Sequence, residues 1–413
     1  MDRSNFVSAP IASASELKYI AEGAANVLYS FSNKGFLLRL RKEVDGQATT
    51  VAIFDFLNMR ILPQFNKQRD LVALTRKIAI ERDVLLDLNL ELLKMDRDQT
   101  RVRKRMGEIL SVDQSDGLLV EDLRVEAEIM HNYNQVVDKQ SFLKTAVKGS
   151  SSSFSYLHQE FQNGDIYEKA VIEFKPKWLS QSKDATSGWI SCRTCALRRL
   201  RAHQRGLDRN GFEFCPLDLV SSDLERIKRS VAILVPEKVD VDMKALHVEI
   251  SMDKGTIREA LAKFVYGTEV FNTLAQVQNS NDCRGILGGY RDGEFDWEYI
   301  LSCYSVAMTV RDCTAFISFA WEDRYGVKSD QAAETAEKHV HANGDYVEDK
   351  PGEGRAVVID ANGVKRVMII RCRLADFDMK NAESKLAYWR AIEKELAGDG
   401  WYSGRDADGH NCT

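Results

Sequence analysis

The stretch Val171-Ile-Glu-Phe-Lys-Pro-Lys-Trp178 constrains this chain more than any other short run. Pro176 has no N–H to give a helix and steers Lys175 away from helical dihedrals, so the run reads as extended. Its period of two projects Glu173, Lys175 and Lys177 from one face. Two ammonium groups held side by side repel, and Glu173 supplies at most one compensating charge. Either carboxylates or a bound polyanion complete the compensation, or the run is a solvated strand edge guarded by lysine and proline; spacing alone favours the edge.

Charge narrows the classes. With 57 basic and 62 acidic residues the net charge is −5, which argues against a protein that blankets nucleic acid or anionic membrane with positive potential. No run approaches the roughly 18 apolar residues that span a bilayer, and the first residues lack the apolar core of a signal peptide. The expectation is an intracellular protein with no membrane partner. Eight unevenly spaced cysteines in 413 residues read as metal ligands or buried thiols rather than a disulfide framework.

No 20 to 50 residue period recurs, so solenoids and propellers are disfavoured. Residues 26–31 and 36–41, separated by Lys34 and Gly35, predict a hairpin. Residues 68–95 predict one or two amphipathic helices, and 304–319 (YSVAMTVRDCTAFISF) two buried strands broken by Arg311 and Asp312. Ser222 and Glu225 form a capping-box pattern ahead of a helix through Ile233. Polar 148–153 and 180–188 predict connections, acidic 329–354 a loop, 357–376 strands around a turn, and 384–397 a closing helix. The whole predicts α+β architecture in two lobes, 1–145 and 146–413.

Three further constellations carry chemistry. Cys192-Arg-Thr-Cys195 is half of a zinc knuckle, which Cys215 and His203 complete, with buried free thiols as the alternative. Around it stand six arginines (193, 198, 199, 201, 205, 209) against the single acid Asp208, an anion trap or a solvated helix face. Glu22-Gly-Ala-Ala-Asn26 is a small-residue turn whose amides can approach phosphate oxygens, or an ordinary tight turn. Finally, Asp312 beside Arg311, and Asp376-Phe-Asp378-Met-Lys380 at a strand end, are acids that terminate apolar runs; an Arg311–Asp312 pair or a strand-terminating turn is the plain alternative. Walker A, HExxH and G-x-S-x-G motifs are absent.

In this order the blocks resemble the inositol-pentakisphosphate 2-kinase family. Glu173-Phe-Lys-Pro-Lys177 is similar to its E-x-K-P-K signature, and 22–27 resembles its E-G-x-A-N-x-V opening. Cys192-Arg-Thr-Cys195 and Cys215-Pro-Leu-Asp-Leu219 resemble its C-R-x-C and C-P-L-D-L segments. Residues 304–314 resemble A-M-T-A-K-D-C-S, and Asp376-Phe-Asp-Met-Lys380 resembles D-L-D-L-K-P. Asn381 stands where the family has proline, Arg311 replaces lysine, and Leu197 takes a common histidine position beside the basic Arg201.

The resemblance implies a distantly protein-kinase-like fold in a compact, fungal-like member, with inositol-phosphate-binding insertions in the C-terminal lobe. It implies transfer of the ATP γ-phosphate to the 2-hydroxyl of inositol pentakisphosphate. Gly23, Ala24, Ala25 and Asn26 would then cover the nucleotide phosphates, Arg39 would act as the strand lysine does in kinases, and 118–123 with Asp122 would hold adenine. Lys175, Lys177, Arg201, Lys385 and Tyr388 would grip inositol phosphates. Asp312 would orient or deprotonate the hydroxyl, Asp376 with Asp378 would hold Mg²⁺, and Lys380 would contact phosphate. A monomer in the nucleus or cytoplasm is expected, with zinc structural. A kinase of other positional specificity, a catalytically dead kinase-like sensor and a zinc-knuckle nucleic-acid binder are the alternatives.

Overall fold

A computed structural model describes residues 11–23, 25–30, 35–44, 46–95, 109–123, 156–160, 169–206, 214–235, 254–282, 284–288, 297–321, 346–359, 365–404 and 411–412. By internal packing the chain divides into two units: Met1–Pro63 with Ala73–Asp138, and Gln64–Val72 with Lys139–Thr413. Gln64–Val72 lies inside the sequence-defined lobe 1–145 yet groups with the second unit. There Val72 bridges Leu374, and Phe65 meets Phe377 edge-on at 5.9 Å.

In the first unit, alternating apolar residues fold β1 (Lys18–Glu22), β2 (Asn26–Ser30) and β3 (Phe36–Arg41) into an antiparallel meander. α1 (Thr50–Phe56), capped by the Thr49 hydroxyl, follows. β4 (Thr75–Ala79), α2 (Arg82–Lys94) and β5 (Asp116–Glu121) complete a five-stranded sheet of order β1-β2-β3-β5-β4. Residues 68–95 therefore hold a strand as well as a helix. The β-branched and charged run at β4 finds its backbone partners in β5, a pairing that helical periodicity does not reveal. The buried side of α2 presents Val84, Leu85, Leu88 and Leu92 to Val27, Leu38, Leu40 and Ile78. Each such side chain contributes about 1.5–3 kcal/mol by leaving water.

The second unit is built on a six-stranded antiparallel sheet. β6 (Tyr156–Glu160) and β7 (Lys169–Phe174) are followed by α3 (Arg193–Gln204), α4 (Leu224–Leu234), α5 (Lys254–Gly267), α6 (Val270–Ser280) and α7 (Trp297–Val310). β8 (Thr314–Trp321), β9 (Tyr346–Lys350), β10 (Glu353–Ile359), β11 (Lys365–Ala375) and α8 (Ala382–Gly398) complete it, with sheet order β6-β7-β8-β11-β10-β9. The architecture is α+β with two antiparallel sheets.

Three expectations need correction. The first apolar run of 304–319 is the end of helix α7, and only the second is a strand. A run buried over most of its surface blurs the periodicity that separates the two. The acidic loop at 329–354 gives way to β9 from Tyr346, with its earlier residues outside the described ones. The cap of α4 is Asp223, whose carboxylate accepts the Glu225 N–H, one residue beyond the expected Ser222. Polar 148–153 also lies outside the described residues. No described helix is long and apolar enough to cross a membrane.

Candidate functional site

Strand register assembles the site. Phe174 of β7 pairs with Ala315 of β8, and Thr314 of β8 pairs with Ala375 of β11, so at one end of the sheet β7 and β11 finish where β8 begins. The residues just past those ends are Lys175 and Lys177, Arg311 and Asp312, and Asp376, Asp378 and Lys380. Candidates far apart in sequence thus arrive together because the ladder brings them there. β7 stops at Phe174, so Lys175 and Lys177 do not share a strand face. Lys177 instead has φ of 63° and Asp376 has φ of 62°, both in the left-handed region that non-glycine residues avoid. Strain of this kind, on the order of 1–3 kcal/mol per residue, persists only where surrounding contacts enforce it.

Those contacts form one ionic cluster. Lys175 Nζ donates to the Asp312 carbonyl at 2.6 Å and to Asp376 Oδ2 at 2.9 Å. Lys177 Nζ donates to Asp312 Oδ1 at 3.1 Å, and Lys380 Nζ lies 2.7 Å from Asp312 Oδ2. The compensating charges for the two lysines are therefore Asp312 and Asp376. Burial pulls the Lys175 pKa down, but the two carboxylates outweigh it and hold the ammonium above its ordinary value. For Lys177 burial wins, helped by repulsion from Lys175 and opposed by Asp312, and its pKa falls. Burial pushes the Asp312 carboxyl up, yet Lys175, Lys380 and Lys177 together hold it far below the usual carboxylate range.

Beside the cluster opens a cavity of about 460 Å³. Lys177, Lys380 and Lys385 line it with Arg193, Arg198, Arg201 and Arg311, while Asp312 is the only carboxylate among its lining residues. Tyr388, Trp178 and Trp389 supply aromatic walls. Lys385 and Tyr388 reach it from one face of α8, and the Lys385 pKa is drawn down by burial and by Lys380 against the pull of Asp312. The six arginines do not act as one platform. Positions 193, 197, 198 and 201 of α3 share a helix face toward the cavity, whereas Arg199 is buried behind it, donating to Ser191 Oγ and, at 3.3 Å, to the Trp401 carbonyl. Arg209 lies outside the described residues.

Arg311 does not pair with Asp312. It forms a buried ion pair with Asp282 at 2.6 Å, and its guanidinium stacks on Trp178, 3.4 Å from the ring centroid. Arg193 stacks on the same side chain at 4.1 Å and pairs with buried Glu393 at 2.9 Å. Nothing in the local spacing of Trp178, Asp282 or Glu393 marks them as part of a site.

The cysteine cluster differs in one ligand from expectation. Cys192, Cys195, Cys215 and Cys412 are all buried with their sulfurs within 4.8 Å of one another, and the Cys192 and Cys215 sulfurs lie 3.8 Å apart. A tetrahedral zinc site with bonds of about 2.3 Å separates its sulfurs by about 3.8 Å, so these thiols fit the metal. His203 is not among them. It is exposed on the last turn of α3 with its ring 5.5 Å from that of Trp401. Hydrogen bonding to the neighbouring thiols, then burial, raises the Cys192 pKa well above its ordinary value. Among the described residues no other group of three or more potential ligands comes together, so Asp376 and Asp378 do not make such a group.

The nucleotide candidates occupy the first unit. Ala24 lies outside the described residues. The Gly23 N–H closes the turn onto the Asn26 carbonyl at 2.8 Å, and the Ala25 carbonyl accepts from the Lys42 N–H at 2.9 Å. Asn26 Oδ1 accepts from Arg41 at 3.1 Å, and the buried Glu22–Lys42 pair at 2.6 Å anchors the strands behind the turn. Arg39 sits mid-strand between Leu28 and Leu118, and the Asp122 N–H donates to the Gly35 carbonyl at 2.8 Å.

Comparison with known proteins bears on these arrangements. The family profile described as inositol-pentakisphosphate 2-kinase matches residues 19–395. Over 250 residues the chain is 27% identical to the inositol-pentakisphosphate 2-kinase of Yarrowia lipolytica, a match covering 60% of this chain and 58% of that protein. Over 329 residues it is 25% identical to the protein of the same name from Debaryomyces hansenii, covering 75% and 77%.

Proposed function

The chain belongs to the inositol-pentakisphosphate 2-kinase family, and from that premise we propose that it transfers the γ-phosphate of ATP to the 2-hydroxyl of inositol 1,3,4,5,6-pentakisphosphate, giving inositol hexakisphosphate. The observation that carries the reading is the cavity beside Asp312, lined by seven cationic side chains and one carboxylate; Arg193 and Arg311 are paired behind the wall with Glu393 and Asp282, and the other five outnumber Asp312. A ligand with five phosphates supplies the anions such a wall lacks. A duplex or single strand of nucleic acid needs an open groove, and neither the family nor the relatives' names favour that alternative.

Lys177, Arg201, Lys385 and Tyr388 hold the inositol phosphates, joined by Arg193 and Arg198. Asp312 accepts the proton as the hydroxyl oxygen attacks the γ-phosphorus and the bond to the bridging oxygen breaks; Lys380 and Lys175 stabilise the charge on the transferring group. In this distantly protein-kinase-like scheme the turn at Gly23, Ala25 and Asn26 covers nucleotide phosphates, Arg39 contacts them, and the strand end at Asp122 borders adenine. Asp376 with Asp378 would hold Mg²⁺, which needs only one or two carboxylates besides phosphates and water and neutralises charge on the nucleotide. Turnover of ATP with inositol pentakisphosphate lacking the 2-phosphate tests the reading. Product phosphorylated elsewhere on the ring would replace it with another positional specificity, and no product with intact ligand binding would leave a sensor.

Two substitutions sharpen it. Lys177→Ala should raise KM for inositol pentakisphosphate, with the effect shrinking at high salt, where screening has already weakened the contact. It should cost little stability, because the folded environment already disfavours that ammonium. Lys175→Ala should lower the melting temperature instead, since its pKa is raised by Asp376 and Asp312. Equal thermal effects from the two would contradict the cluster's charge balance. Asp376→Asn should weaken Mg²⁺-dependent nucleotide use; an unchanged rate and Mg²⁺ dependence would remove Asp376 from the metal role.

A further inference from the structure

Trp178 directly follows Lys177, and Arg311 directly precedes Asp312. The two chain segments that carry the 3.1 Å Lys177–Asp312 contact are thus also joined by a stack one residue away, with the Arg311 guanidinium 3.4 Å from the Trp178 centroid. Arg193, from the wall of the cavity, stacks on the same indole at 4.1 Å. Two guanidinium groups on one ring repel, and each is held there by its own buried acid: Asp282 for Arg311 at 2.6 Å and Glu393 for Arg193 at 2.9 Å. Glu393 is locked in turn by Ser182 Oγ at 2.7 Å and by the Tyr402 hydroxyl, and Asp282 Oδ1 accepts the Gly285 N–H at 3.1 Å. Lys177 is left-handed at 63°, a conformation that needs neighbours to enforce it.

We propose that Trp178 and Asp282 are positioning residues for phosphoryl transfer: the indole and the anchored Arg311 fix Asp312 and Lys177 against each other, so that the proton acceptor meets the substrate hydroxyl in one geometry. The inference rests on the kinase reading above. Asp282 is not among the residues lining the cavity, so it reaches the reaction only through Arg311. A misplacement of about 1 Å at a reacting group costs on the order of 10²-fold in rate.

The test is steady-state kinetics with ATP and inositol pentakisphosphate on the full chain. Trp178→Leu should lower kcat by about 10- to 100-fold while KM for ATP stays within about threefold, and Trp178→Phe, which keeps a ring for the guanidinium groups, should recover most of that loss. Asp282→Asn is isosteric and keeps the test available where the leucine variant does not fold; it should lower kcat by about tenfold with KM for the inositol phosphate nearly unchanged. Folded variants with parent kcat would overturn the proposal. So would a raised KM alone, which would make Trp178 a binding wall. An inactive parent chain would refute the kinase reading itself and take the positioning role with it, an outcome distinct from active parent and unaffected variants.

Discussion

Asp312→Asn is expected to lower turnover with inositol pentakisphosphate by at least about 10², because a group that orients a nucleophile and takes its proton acts mainly in the transition state. The cluster adds a second expectation. Lys175, Lys177 and Lys380 all converge on this carboxylate, so its removal leaves ammonium groups facing the cavity with less to neutralise them. KM for the substrate should therefore hold or fall while kcat collapses, a split that general unfolding does not produce. The pH behaviour follows from the depressed pKa of Asp312. A carboxyl whose folded pKa lies below its unfolded value of about 3.9 adds stability above that value and loses it as pH falls through the folded one. The parent should thus lose more stability than the variant between about pH 4 and the acid limit. Near-parent turnover in Asp312→Asn would remove this residue from the chemistry.

Residues whose neighbours in sequence are also their neighbours in function were legible before any coordinates. The Lys175-Pro-Lys177 run and the Asp376 strand end stand out locally, although spacing alone favours a solvated edge for the lysines. Lys385 and Tyr388 enter only through the family resemblance. Strand register brings the lysine and aspartate segments to one end of the sheet. What spacing conceals is anything completed across the chain. Trp178 looks like ordinary core until Arg311, 133 positions on (311 − 178), stacks on it. Period two explains the two lysines less well than the left-handed turn at Lys177, because β7 has already ended. The run at 304–310 is mostly buried, with even Thr309 inside, so the periodicity that distinguishes helix from strand is blurred in it. His203 was a reasonable zinc ligand by sequence distance, but three-dimensional proximity belongs to Cys412, whose spacing of 197 residues from Cys215 (412 − 215) matches no knuckle pattern.

That exchange of ligands gives the other large expected effect. Elemental analysis should find about one zinc per chain, and Cys412→Ser should lose most of it while His203→Ala retains it, since the histidine ring rests on Trp401 away from the sulfurs. Four buried thiols packed this closely are hydrogen-bonded to one another without metal, and the raised Cys192 pKa means that binding must displace protons. Zinc retention should accordingly weaken as pH falls. Structural zinc stabilises only the folded form, so chelation should lower the melting temperature by on the order of 10 °C, the scale of several kcal/mol in a unit this size. The damage should also reach the substrate. Cys192 caps α3 and Cys195 sits in its first turn, on the helix that carries Arg193, Arg198 and Arg201 to the cavity. Cys412 is tied to the same region, its N–H donating to the Ile190 carbonyl at 2.9 Å and its carbonyl accepting from Arg226 at 2.8 Å. Without the metal, α3 loses the anchor at its first turn, and KM for inositol pentakisphosphate should rise more than KM for ATP. Metal-free protein with an unchanged melting temperature would sink the zinc assignment, and equal metal loss from His203→Ala and Cys412→Ser would overturn the four-cysteine set.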